Sequence, residues 1–287
     1  MEFGGVMDTD RVMGVALEQA GLEAVPADSG IHVPGAGLKK ALFGVDIDVG
    51  ELLYARDSGY DVVVAHHPLG SGSSPQFTDV MWRQVDQMVE EGVAEPVARA
   101  AVAQRVGSRH RLRHMANYNR VTDTARLIGL PLLNIHLPPD IVSRRYVKRL
   151  VAENISEETT VGGLLEVLNA IPEMARSLVK PEQWIGDPDN PVGRVAVAMA
   201  GGTNGGYPVY STYFEAGVGT ILSMHIDEGD YQRLRTEAPA GCNLVVTGHM
   251  PSDSIGINRL IWRLEDEGLA CQRTSGIIDV PRSQNGV

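Results

Sequence analysis

Three short clusters of histidine and aspartate carry the chemistry in this sequence. His66 and His67 close the run VVVAHHP, His136 and Asp140 frame HLPPD, and His249 and Asp253 frame GHMPSD. Imidazole nitrogens and carboxylate oxygens are ligands for divalent ions such as Zn, Fe, Mn, Ni or Mg. Together the three clusters supply enough donors for two ions, with positions left over for water. Each cluster also has a plainer reading. The histidine pair can be one buried and one exposed ring, the Asp140 segment a turn beside proline, and Ser252 or Asp253 a helix cap. The metal reading is favoured because all three clusters recur at the same kind of place, directly after a short apolar strand.

The local geometry of each cluster sets what it can do. Neighbouring side chains in an ideal strand point to opposite faces, so His66 and His67 share a cavity only if Pro68 breaks the strand there. A loop after the strand LPLLNIH (130–136) can fold Asp140 back toward that cavity. His136 then suits an outer task, orienting a ligand or relaying a proton. If a helix begins at 250–253, His249 and Asp253 are neighbours on its first turn, and the two oxygens of Asp253 allow it to bridge two ions.

The elements that must position these groups follow from periodicity. Residues 8–20 read as a helix and 21–39 as a Gly- and Pro-rich loop. ALFGVDI (41–47), VGELLYARDSG (49–59) and DVVVAHH (61–67) read as strand, helix and strand, the last a continuous apolar run of the kind buried in parallel sheets. Residues 77–106 are helical with a break at Gly92 or Pro96, and 120–129 form a further helix. After a polar joint at 152–190, strands are expected at 192–202, 220–226 and 242–249, with helices at 207–217 and 256–268. SGYDVVVAHH (58–67) and AGVGTILSMH (216–225) echo one another, each a strand closing on histidine. The expected architecture is therefore α/β, with two similar lobes flanking a central dinuclear metal cleft. An N-terminal lobe over 1–150, a connecting region over 151–190 and a C-terminal segment over 191–287 would make it up, or one intertwined domain.

Composition narrows the function classes. The 287 residues carry 25 Lys and Arg against 36 Asp and Glu, a net charge of -11, which argues against a general nucleic-acid binder. The basic run RVGSRHRLRHMANYNR (105–120) reads as a solvated helix face or a subunit contact. Cys242 and Cys271 have no metal-site or disulfide-framework spacing. The opening residues MEFGGVMDTDR lack the pattern of a signal peptide, and no apolar run approaches the roughly 20 residues that span a bilayer. A cytoplasmic protein with no membrane partner is expected.

With these motifs in hand, the sequence resembles the Nif-three-like dinuclear metal proteins, whose bacterial members are labelled GTP cyclohydrolase 1 type 2. AHHPL (65–69), NIHLPPD (134–140) and GHMPSD (248–253) match the family's three motifs in order and context, and the resemblance covers most of the chain. It implies metal ligands at His66, His67, Asp140, His249 and Asp253, where Asp253 stands in place of the family's bridging glutamate, one methylene longer. It also implies two divalent ions per subunit, hexameric assembly and the short form of the chain. The function it implies is metal-dependent hydrolysis of a small-molecule substrate, a nucleotide or phosphate ester. A non-enzymatic metal-binding or oligomeric scaffold protein is the competing class. The glycine-rich GGTNGG (201–206) reads as a tight turn or an anion cradle. In MHIDE (224–228), His225 or Glu228 is a candidate outer or proton-relay group, and Asp46 and Asp48 are either further site carboxylates or a solvated turn.

Overall fold

The computed structural model describes residues 7–282, so the first six residues of the opening stretch lie outside it. Along the chain, α1 (Thr9–Ala20), β1 (Gly30–Val33), β2 (Lys40–Gly44), α2 (Val49–Asp57) and β3 (Val62–Ala65) come first. They are followed by α3 (Gly70–Ser73), a 3-10 stretch over Pro75–Trp82, α4 (Arg83–Glu90), α5 (Glu95–His114), α6 (Arg120–Ile128), β4 (Leu132–Asn134) and α7 (Leu137–Asn154). Next are α8 (Val161–Asn169), α9 (Pro172–Arg176), β5 (Glu182–Ile185), β6 (Val195–Ala198) and α10 (Gly206–Glu215). β7 (Thr220–Ser223), α11 (Glu228–Glu237), β8 (Asn243–Val246), α12 (His249–Asp266) and β9 (Ala270–Thr274) complete the order.

These elements form two compact units. Within the described range the first takes residues 7–79, 113–142 and 253–282, and the second takes 80–112 and 143–252. The contiguous spans expected from sequence differ from this division: 80–112 and 143–150 go with the second unit, and 253–282 with the first. The polar stretch 152–190 lies inside the second unit. The chain changes unit four times, within the 3-10 stretch over Pro75–Trp82 and within helices α5, α7 and α12. A helix that simply continues leaves no linker-like composition to mark a boundary.

The first unit is built on a sheet of order β1-β4-β3-β2-β9, parallel except for β1, which runs antiparallel to β4. Its centre is β3, whose four residues are all buried, as a valine run covered on both faces should be. Leu42, Val63, Leu132, Leu52, Ala55 and Val121 join strands to α2 and α6 in one apolar cluster. The second unit has the order β5-β8-β7-β6, again parallel with one antiparallel edge strand, β5. Its core gathers Ile221 and Leu244 with Met88 of α4, Val102 of α5 and the aromatic face of α10, Tyr210, Tyr213 and Phe214.

Leaving β9 aside, the two sheets share one strand order. β1 corresponds to β5, β2 to β6, β3 to β7 and β4 to β8, so the echo seen in sequence marks a repeated topology. The edge strands β1 and β5 fall in stretches read as loop and joint. Both are four residues long and none of their residues is buried, so they lack an apolar signature and depend on pairing with β4 and β8. The helical region after Pro75 is interrupted at Gly92, whose φ of 85° ends α4, while Pro96 sits in the first turn of α5, where a missing N–H costs nothing. Among the described residues no helix is long and apolar enough to cross a membrane.

Candidate metal centre

The site forms where parallel strands of the first unit end, the usual ligand position in open α/β sheets. β3 stops at Ala65, and the next two backbone N–H groups turn onto the end of β2. His66 donates to Gly44 O at 2.9 Å and His67 to Val45 O at 3.0 Å. Both rings thereby lie beyond the strand, free of its alternation, with centroids 5.3 Å apart. β4 leads into α7, not into the loop expected from HLPPD. Pro138 and Pro139 occupy the first helical turn, where they are tolerated, and His136 O accepts from Asp140 N–H at 3.4 Å. The same helical spacing recurs after β8: α12 starts at His249 and carries Asp253 four residues on. Ser252 and Asp253 are thus inside the first turns of α12 and do not cap it.

Three imidazoles of the first unit are oriented by the same device. His66 Nδ1 donates to Ile135 O at 3.0 Å, His67 Nδ1 to Asp46 at 2.7 Å, and His136 Nδ1 to Asp28 at 2.6 Å. Each acceptor is a carbonyl or carboxylate oxygen, so each proton sits on Nδ1 and each Nε2 is left to face the site. His66 Nε2 lies 3.3 Å from Asp140 Oδ1 and 3.7 Å from Asp253 Oδ2. His67 Nε2 is also 3.7 Å from Asp253 Oδ2, and His136 Nε2 is 3.8 Å from Asp140 Oδ2. His66, His136, Asp140, Asp253 and Asp28 are buried.

This arrangement fits a cation. His66 Nε2 and Asp140 Oδ1 are buried and have no hydrogen-bond partner. Two lone pairs facing one another at 3.3 Å repel unless something positive stands between them. Ligand bonds of about 2.0–2.2 Å put neighbouring donors of one ion roughly 3–3.5 Å apart. The separations found, 3.3 to 3.8 Å, are close to that range. His66, Asp140 and Asp253 each offer a ligand atom within 4.8 Å of the others, as do His66, His67 and His136. The cluster is compatible with one or two divalent ions.

Without a metal, protons take the cation's place. Burial alone would lower the pKa of His67, but its bonds to Asp253 and Asp46 outweigh that and push it up to about 10. Burial likewise opposes the charged form of His136, and the carboxylates of Asp140 and Asp28 overcome it, raising the pKa. A site that holds protons this firmly is one whose carboxylates call for positive charge.

The remaining sequence candidates take definite places. In the second unit, His225 Nδ1 accepts from the Asn204 amide at 3.1 Å, and its ring packs against that of His249, with centroids 4.6 Å apart. Asp46 reaches the site through His67, whereas Asp48 caps α2 in a capping box with Glu51. Glu228 accepts from Gln232 one turn along α11 and is exposed. GGTNGG is a braced turn: Gln84 donates to Gly201 O and Thr203 O at 2.8 and 3.0 Å, and Arg105 bonds both oxygens of Asn204. Arg105, from the basic run, is buried and paired with Asp227 and Asp230. Cys242 and Cys271 are free thiols. Asp28 was missed by the sequence reading. It sits in a Gly- and Pro-rich stretch where nothing marks one aspartate from a turn residue.

Comparison with solved structures finds a close likeness. A NIF3 superfamily protein from Sphaerobacter thermophilus is 39% identical over 94% of this chain and 98% of its own, with a TM-score of 0.91. Reduced HcgD from Methanocaldococcus jannaschii (14% identity, 94% and 98% coverage, TM-score 0.57) and TTHA1606 from Thermus thermophilus (15%, 96% and 99%, 0.52) share the fold. No family model and no curated protein matches.

Proposed function

This chain belongs to the NIF3 superfamily, and on that footing we propose that it is a divalent-metal-dependent hydrolase acting on a nucleotide or phosphate ester. What carries the reading is the convergence of imidazole Nε2 atoms on two buried carboxylates, with His66 Nε2 and Asp140 Oδ1 unpartnered 3.3 Å apart. One ion would be held by His66 and Asp140, and a second by His67. Asp253 would serve both, since its Oδ2 lies 3.7 Å from each of the two adjacent imidazoles. The mixed nitrogen and oxygen donors accept Zn, Fe, Mn, Ni or Mg.

Bound divalent ions supply Lewis acidity and an acidified water for attack on a phosphoryl or similar centre. The protein's own part is to fix and exclude. Ile135 O and Asp46 lock the tautomers of His66 and His67, which keeps both rings aimed without reorganisation. Burial of His66, Asp140 and Asp253 keeps the donors away from bulk water and strengthens their field. The hexamer implied by the sequence resemblance belongs to the same proposal, and light scattering should return the mass of six subunits.

The test is turnover of a panel of nucleotides and phosphate esters by wild type and Asp253→Asn, each stripped with chelator and reloaded. Loaded wild type should hydrolyse at least one member, and both stripping and Asp253→Asn should lower the rate by about 100-fold or more. Activity that survives complete stripping contradicts the proposal. Firmly bound metal with no turnover across the panel would transfer the assignment to a metal-binding protein without catalysis.

A further inference from the structure

Beyond the five ligands above, the geometry points to a sixth: we propose that His136, held by the buried carboxylate of Asp28, ligates the same ion as His66 and Asp140. The inference rests on the functional reading just given, because it concerns the same metal centre. The sequence assigned His136 an outer role, and four observations carry it inward.

The ring is oriented as a ligand's ring is. Asp28 is fully buried and takes the His136 Nδ1–H at 2.6 Å, so Nε2 is the free donor. Metal-bound histidines commonly make this second bond to a carboxylate, which fixes the tautomer and makes the nitrogen a better donor.

Asp28 is itself built in. Its backbone carbonyl accepts from Asn134 Nδ2 at 2.7 Å, Ser29 Oγ bonds its side chain at 3.3 Å, and the same hydroxyl accepts from His136 N–H at 2.9 Å. Asn134 is in turn held by Ser73 and His32. The segment 28–29 thus grips both ends of 134–136. A buried carboxylate paired with an imidazole is costly unless net positive charge lies beyond the ring.

Asp140 stands between two imidazoles, with Oδ1 3.3 Å from His66 Nε2 and Oδ2 3.8 Å from His136 Nε2. The rings of His66 and His136 have centroids 4.7 Å apart. One ion among these groups meets two nitrogens and the carboxylate.

The repeated topology gives an independent argument. His136 and Asp140 are four residues apart where β4 runs into α7, as His249 and Asp253 are where β8 runs into α12, with His249 one residue further from its strand; β4 and β8 hold corresponding positions in their sheets. His136 thus lies within one residue of the place in the first unit that His249 holds in the second. If His249 binds a metal from the junction of β8 and α12, a histidine at the junction of β4 and α7, with its aspartate at the same interval, is suited to bind one too.

The experiment uses the full chain and the metal alone. Protein labelled with 15N at histidine is loaded with 113Cd2+, and couplings between cadmium and ring nitrogens are read by NMR. Zn2+ affinities of wild type, His136→Gln and Asp28→Asn are measured alongside by chelator competition. A cadmium coupling at His136 Nε2, with one Zn2+ weakened by about 10- to 100-fold in both variants and the other unchanged, is the expected result. The wild-type spectrum decides the matter even if a variant fails to fold. Couplings at His66 and His67 but none at His136, with both Zn2+ affinities unchanged in His136→Gln, overturn this inference and leave the hydrolase proposal standing. Wild type that binds neither ion overturns both.

Discussion

Gly256 lies in α12 one turn beyond Asp253, and its substitution tests how closely the site depends on helix packing. A Cβ built there would stand 2.0 Å from Pro139 O, 2.6 Å from Pro139 C and 2.9 Å from Pro139 Cα. All three atoms are backbone, in the first turn of α7, so no side chain can rotate away. Carbon and oxygen in contact need roughly 3.3 Å, so Gly256→Ala must part α7 and α12 by about 1 Å at this crossing. Asp140 follows Pro139 directly, and Asp253 is three residues before Gly256 on the same face of α12. The displacement therefore falls on the two carboxylates, although no ligand has been changed. Sites of this kind tolerate misplacement of about 0.5 Å. We expect Gly256→Ala to lose about 1–3 kcal/mol of stability from overpacking and to weaken metal binding about tenfold or more. Gly50→Ala is the control: it lies in α2 with nothing within 4 Å of the new Cβ, and it should leave binding unchanged. Chelator competition gives the affinity, and denaturant melts of stripped protein give the stability. If Gly256→Ala binds both ions as wild type does, the α7–α12 contact does not set the site and the reasoning fails.

Two further outcomes follow from groups around the site. The His67 pKa is raised from 6.5 to about 10 in the folded, metal-free protein. Its stabilisation is therefore complete below pH 6.5 and lost as pH rises toward 10. Stripped protein should lose on the order of 2 kcal/mol across that window, less than the full shift would give because Asp46 is largely exposed. Metal-loaded protein should lose much less, because the ion replaces the proton; melting temperatures at pH 6 to 10 that are equally flat in both states would contradict this. In the second unit, Arg105→Met removes the donor that bonds Asn204, Asp227 and Asp230 and should destabilise by roughly 2–4 kcal/mol. Urea unfolding measures it, and a loss below about 0.5 kcal/mol would show that the glycine-rich turn does not need that arginine.

What the sequence revealed and what it hid divide along physical lines. β3 and β8 were legible because a run of apolar residues closing on histidine needs no tertiary partner to be noticed. His66, His67, Asp140, His249 and Asp253 were legible as motifs, although the HLPPD loop proved to be a helix start whose prolines occupy the turn that spares them. The edge strands β1 and β5 were hidden because their identity comes from pairing, not from their own residues. The division into units was hidden because a helical stretch runs through it at each of its four crossings. Asp28 was hidden because its importance lies in a contact with His136, 108 residues away. Only the fold makes a turn aspartate into the anchor of an imidazole.

The central claim is that these residues hold divalent metal, and elemental mass spectrometry of folded subunits tests it most directly. Wild type, His66→Gln and Asp253→Asn would be stripped, reloaded in turn with Zn, Mn, Fe, Ni and Mg, and freed of loose ion by gel filtration. The account predicts two ions per wild-type subunit with at least one of these metals, about one in His66→Gln, and close to none in Asp253→Asn. Wild type that emerges without metal under every condition would contradict it.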